Sequence, residues 1–287
     1  MACSFIVWKL LDTHELMNNA VPTTLSRLTP PIDYFNEFVD RQDHYDHFKL
    51  MDCIYYHKAV AQFYPIQKSE SYGMLGFCYE RLGQQAQAVD SYKQAIAANP
   101  DYFWPYYDLG VIFYNQAKYA QAEDYFHQAI ARDPVRTIVL LNRSKVYNDV
   151  KLSKQDGRYD FLAGFKQGRV TAYILLMDCL YKTGSYAQLW KAATNGIDEG
   201  VDTQGVFYYY AGLAAFNLKS FPNAIFFLQN AAQRDPTNAD AYYYLGQCLR
   251  VAGKEDMAGM FLAKVAGLHH QGYTGIKKYL EARVSFF

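Results

Sequence analysis

The chain has 287 residues, 51% of them apolar and 17% aromatic, and its 28 Lys and Arg balance its 28 Asp and Glu. That balance leaves no global field to draw in nucleic acid or an anionic membrane. No apolar run reaches the roughly 18 residues of a membrane-spanning helix, and five cysteines without a CxxC do not suggest a disulfide framework.

The opening segment "MACSFIVWKLLDTHELMN" has an apolar run at 5–8 but no basic start and no small-x-small cleavage site, so it is not read as a signal peptide. Residues 19–34 carry Pro22, Pro30 and Pro31 among Thr and Ser, which reads as an extended linker. Residues 1–34 are therefore taken as an N-terminal arm with room for one short helix. Asp40, Asp43, His44 and His47 follow at i, i+3, i+4 and i+7, one helical face able in principle to hold a divalent metal. The plainer reading is the polar outer surface of a first helix, and no metal is expected.

From 69 onward the residues recur at a fixed period of 34. Tyr72, Leu75, Gly76, Tyr79, Ala88, Tyr92, Ala95 and Pro100 are answered by Tyr106, Leu109, Gly110, Phe113, Ala122, Phe126, Ala129 and Pro134. A period of that length marks a stack of small units, none able to bury its own apolar face. Within the first unit Tyr72, Leu75, Gly76 and Tyr79 form one helical stripe, Gly83 ends that helix, and a second helix carries Ala88, Tyr92 and Ala95. Gly76 and Ala88 are small where the two helices approach, and Pro100 marks the turn to the next unit, since it cannot continue a helix interior.

This pattern resembles the tetratricopeptide repeat. The match is close at 69–102 and 103–136 and good at 205–238 and 239–272. At 170–204 Tyr173, Leu176 and Gly184 fit, while Met177, Leu189 and Val201 replace Gly, Ala and Pro. Residues 137–169 keep the length and Tyr147, and 35–68 keeps only its second helix, "CIYYHKAVAQFYP". The resemblance implies an all-α, right-handed superhelical solenoid of antiparallel helix pairs over 35–272, with about seven repeats and about fourteen helices. Residues 273–287, with Ile276, Tyr279, Leu280 and Val284 on one side, are expected to form a capping helix over the last apolar face.

Cys78, Cys179 and Cys248 all stand tenth in their repeats, a slot that faces a neighbouring helix, where cysteine acts as a small apolar residue. Reduced thiols in packing slots point to the cytoplasm. Lys151, Lys154, Arg158, Lys166 and Arg169 gather where the rhythm breaks and are read as the solvated face of a degenerate repeat; a docking loop or a bend is the other reading. His269 and His270 read as a helix C-terminus.

No phosphate loop, GxSxG, HExxH or Cys–His motif is present, so the chain is read as non-catalytic and without a cofactor. The resemblance places first-helix positions two, five, nine, twelve and thirteen on an inner groove. These supply Trp104, Tyr107, Tyr114 and Asn115 in one repeat, then Lys145 and Asn148, then Tyr181 and Lys182. Tyr209, Phe216 and Asn217 follow, and finally Tyr243, Gln247 and Arg250. An aromatic stripe rimmed by polar groups marks a binding surface, so Trp104, Tyr107, Tyr209 and Phe216 are expected to be accessible there. The implied function is a protein-interaction scaffold holding a peptide or protein segment, with neither nucleic acid nor membrane insertion. The alternative is the repeat module of a glycosyltransferase or saccharide-handling assembly. A chaperone-tail clamp does not fit, because Gly73, Phe77, Tyr107 and Val111 stand where basic residues and Asn are needed. An asparagine ladder at position six does not fit either, because Met74, Asp108, Leu175, Tyr210 and Tyr244 stand there and only Asn142 matches.

Overall fold

The same local signal closes every first helix, and it sets the architecture. The computed structural model describes residues 47–63, 68–132, 161–201 and 205–269. Among them are eleven helices and no strand: α1 (His47–Phe63), α2 (Lys68–Arg81), α3 (Gln85–Ala98), α4 (Phe103–Asn115), α5 (Tyr119–Ile130), α6 (Phe161–Lys182), α7 (Tyr186–Asp198), α8 (Val206–Asn217), α9 (Phe221–Arg234), α10 (Ala239–Val251) and α11 (Glu255–His269). The fifteenth residue of each unit takes a left-handed conformation: Gly83 at φ 71°, Gly184 at 75° and Gly253 at 72°, but also Ala117 at 57° and Lys219 at 60°. The following amide then bonds back across the last turn, as in Gln84 N to Tyr79 O at 2.8 Å and Lys118 N to Phe113 O at 2.9 Å. This reverses the chain and lays the second helix antiparallel on the first.

Within each pair a glycine meets a large side chain. A Cβ on Gly76 would lie 2.5 Å from the Tyr92 ring, on Gly110 2.6 Å from Phe126, and on Gly212 2.6 Å from Leu228. The 170–204 unit departs from this at both ends of the contact. Met177 stands in the glycine slot and is fully buried, while Ala193 stands in the slot of Tyr92 and Phe126. The large and small partners have exchanged helices, which keeps the volume between them. Gly196 in turn admits Phe207 of the next unit, whose ring would leave a Cβ there only 2.0 Å of room.

Each helix packs on the next along the chain, and first helices of neighbouring units touch, α4 with α6, α6 with α8 and α8 with α10. The fold is an all-α solenoid. The unit boundary at 169/170 falls inside α6, a single helix of 22 residues. Moreover α6 packs directly on α4 and α5, while residues 133–160, and with them most of the expected unit at 137–169, lie outside the described residues. The physical reason is local: proline punctuates the junctions at Pro100 and Pro236, and none interrupts 161–182.

Cys78, Cys179 and Cys248 are fully buried, as their slot implies. Burial pushes the Cys179 thiol up to about 12 and that of Cys248 up to about 11. The arm at 1–34, the cluster Asp40, Asp43 and His44, the degenerate first helix of 35–68, Lys151, Lys154 and Arg158, His270 and the capping segment 273–287 lie outside the described residues.

Candidate binding face

The inner positions divide into a buried half and an accessible half. On α4, Trp104 is 5% exposed, Tyr107 2% and Tyr114 7%, so these three are core, which corrects the expected access. The early start of α6 explains it. Its extra N-terminal turns set Gly168 against the Trp104 ring, where a Cβ would come within 2.6 Å. Trp104 meets Tyr107 edge-on at 5.8 Å, and Tyr107 reaches Phe126 at 6.2 Å. Only Asn115 of this set is exposed. Lys145 and Asn148 lie outside the described residues.

Asp178, itself buried, organises the next layer. Its two oxygens accept from the Tyr114 hydroxyl and, at 3.2 Å, from the Tyr210 hydroxyl. Lys182, one turn on, lies 3.0 Å from the same carboxylate and donates to Tyr114 at 3.1 Å. Its ammonium also sits over the rings of Tyr114 and Tyr119, at 4.9 and 4.7 Å from their centroids. Desolvation works against the Lys182 cation, but the hydrogen bonds with Tyr114 and Asp178 and the Asp178 charge outweigh it and hold its pKa above the ordinary value. Burial and the Asp178 carboxylate raise Tyr114 and Tyr210 as well. Lys182 therefore ties α4, α5 and α6 together; its charge is already matched, and it is a poor receptor for an incoming carboxylate.

On α6, α8 and α10 the rings are accessible. Tyr181, Tyr209 and Phe216 are half-buried, as are Asn217 and Gln247, while Tyr243 is 44% exposed. Arg250 is exposed, with Glu255 3.8 Å away. Asn217 donates its amide to Leu213 O at 2.8 Å, which fixes the side chain. The joining residue is Tyr244, which the inner-position register passes over. Its hydroxyl lies 3.2 Å from that of Tyr181, and its ring packs on Phe216 at 5.2 Å and Tyr243 at 5.3 Å. Tyr181 belongs to α6 and Tyr244 to α10, the two first helices on either side of α8. Their side chains meet only if this face curves inward over α8. A second aromatic patch, also unforeseen, joins Trp190 of α7 to Phe227 of α9 at 5.1 Å, with Phe226 exposed beside it.

Elsewhere Arg169 pairs with Glu199 at 3.0 Å and covers the Tyr173 ring, so it is not part of a free basic surface. Glu70 is buried on α2 with Oε2 lacking a hydrogen-bond partner, and burial pushes its carboxyl up to about 7. No group of three potential metal ligands occurs among the described residues, and no helix there is long and apolar enough to cross a membrane.

Three repeat-family models match the chain: a TPR repeat over 79–116, and tetratricopeptide repeats over 107–149 and 227–259. No curated protein matches it. Among solved structures, the MamA protein aligns at TM-score 0.53 and 15% identity, covering 77% of this chain and 98% of that one. A MamA structure from Desulfovibrio magneticus RS-1, residues 41 to the end, aligns at 0.51 and 16%, covering 72% and 98%. YrrB, described as a TPR protein with an unusual peptide-binding site, aligns at 0.53 and 15%, covering 79% and 96%. At these identities the likeness is one of fold.

Proposed function

From the premise that the chain is a tetratricopeptide-repeat protein, we propose that it is a non-catalytic scaffold holding a peptide or protein segment on the inner face of α6, α8 and α10. The observation that carries this reading is the joined set Tyr181, Tyr244, Phe216 and Tyr243, half-buried or exposed on a face that curves inward. Rings that only held repeats together would be buried, as Trp104 and Tyr107 are. Large aromatic residues left accessible in a concavity are the usual anchors of an interface. A cytoplasmic setting fits the buried free thiols.

The saccharide-handling alternative has less support. At the sixth position Tyr210 is bonded to Asp178, and Met74 and Leu175 are buried, so no polar ladder runs along the face.

The test compares Phe216→Ala and Tyr243→Ala with the parent chain, using the partner captured from native extract and then purified. Each variant is expected to weaken binding by roughly 2–4 kcal/mol if its ring is an anchor, with little change in melting temperature. Unchanged binding in both would rule this face out as the docking site.

A further inference from the structure

Links between first helices two units apart differ in strength along the inner face. Asp178 of α6 accepts from Tyr114 of α4 and from Tyr210 of α8, joining those two helices. The carboxylate and both tyrosines are buried, and Lys182 matches the charge at 3.0 Å. Hydrogen bonds to a charged group in a low-dielectric setting are the strong kind. This section of the face is fixed.

The next link is of another kind. Tyr181 of α6 and Tyr244 of α10 meet hydroxyl to hydroxyl at 3.2 Å, across α8. Both groups are neutral and half-buried, so water competes for each of them. A neutral hydrogen bond of this sort favours the made over the broken state by only about two- to tenfold. Units in a stacked array hold mainly to their neighbours. A link that skips a unit therefore bears on the tilt between units more than on the fold of any one of them.

Tyr244 also occupies part of the concavity. Its ring stands edge-on to Phe216 at 5.2 Å and to Tyr243 at 5.3 Å. With the hydroxyls parted, α10 is free to tilt away from α6 and carries Tyr244 off Phe216. The Phe216 ring, half-buried beneath it, is then uncovered. The broken state offers more aromatic surface than the made one.

We propose that Tyr181 and Tyr244 form a latch on the inner face. Made, it holds α10 against α6 and keeps Tyr244 over Phe216; broken, it opens the curve and bares Phe216. As regulation of a docking face the latch rests on the function proposed above, but its existence is tested without a partner.

Lys191→Cys and Met260→Cys, at exposed positions on α7 and α11, take nitroxide labels in the full chain with Cys3→Ser and Cys53→Ser. Pulsed dipolar spectroscopy then reads the distance between them, and the parent is expected to show one main distance. Tyr181→Phe and Tyr244→Phe keep the rings and remove one hydroxyl each, so each should raise a longer-distance population about twofold or more. The double variant should do no more than either single one, because both hydroxyls belong to one contact. Anilinonaphthalene sulfonate, a dye that reports accessible apolar surface, should brighten about twofold or more in the Phe variants. That gain should vanish when Phe216→Ala is added. Circular dichroism checks the helix content of every variant. An unchanged distance distribution in both Phe variants overturns the latch, as do additive effects in the double variant. A dye signal that survives Phe216→Ala overturns the uncovering of that ring. If the distances respond as stated while Phe216→Ala and Tyr243→Ala leave partner binding unchanged, the latch stands and the docking function fails. If partner binding falls in those variants but the distances never change, the docking function stands and the latch fails.

Discussion

Single residues carry the sharpest contrasts. Trp104 and Tyr107 stand at inner positions but are core, so replacing either by Ala should cost about 3–5 kcal/mol through the cavity left behind. Phe216→Ala should cost much less in stability, and urea midpoints of the two kinds of variant, compared side by side, check the difference. Glu70 gives a pH dependence. Its carboxyl titrates near 7 in the folded chain rather than at the ordinary 4.5, because burial disfavours the anion. Below 4.5 it is neutral in both states and makes no difference. Between 4.5 and about 7 the unfolded chain ionises while the folded chain keeps its proton, so stability falls as pH rises, by something on the order of 3 kcal/mol. Above 7 the loss is complete and this contribution is flat. Glu70→Gln should remove the slope, which unfolding midpoints taken across that range would reveal. Thiol reagents should leave Cys78, Cys179 and Cys248 unlabelled until the chain unfolds.

At the scale of helices, the reversal at the fifteenth position is shared by all five pairs, but only three of them use glycine. Ala117 and Lys219 hold a left-handed conformation against their own Cβ atoms, a cost of about 1–2 kcal/mol each. Ala117→Gly and Lys219→Gly should therefore raise stability by roughly 0.5–1 kcal/mol, after the extra freedom of glycine in the unfolded chain is subtracted. Thermal melts of the single and double variants test this, with additive gains expected because the sites are far apart. Gly76→Leu should do the opposite, driving Tyr92 out of a space where even a Cβ lies 2.5 Å from its ring. The exchange of sizes between Met177 and Ala193 shows why 170–204 departs from the repeat pattern yet packs as a full pair. A pattern read position by position registers two mismatches there; the structure registers one compensated contact.

Across the whole molecule, stability in a stacked array is a sum of units and the interfaces between them, so a residue shared by several helices couples them. Asp178 joins α4 and α8 through two tyrosine hydroxyls and neutralises Lys182 beneath α5. Asp178→Ala leaves a lysine and two hydroxyls unmatched and should cost about 3–5 kcal/mol. It should also broaden the unfolding transition, as repeats before and after α6 lose their coupling. A single sharp transition at an unchanged midpoint would show that the contact adds nothing.

The 34-residue period, the glycine-to-aromatic contacts at Gly76 and Gly110 and the burial of three cysteines are local regularities, and sequence alone determines them. Each depends only on helical spacing and on one neighbour at a fixed offset. Which inner residues reach the surface depends instead on where a distant helix lies. Trp104 and Tyr107 occupy groove positions by register, but α6 begins early and sets Gly168 against the Trp104 ring. Lys182 stands at a groove position by register, but Asp178, Tyr114 and Tyr119 surround its ammonium. Tyr244 reads as a departure from an asparagine ladder until its hydroxyl meets Tyr181 across α8. A period fixes neighbours one repeat apart. Exposure and charge pairing on the inner face are set by curvature, helix length and contacts more than 60 residues apart in sequence, and those exist only once the solenoid is stacked.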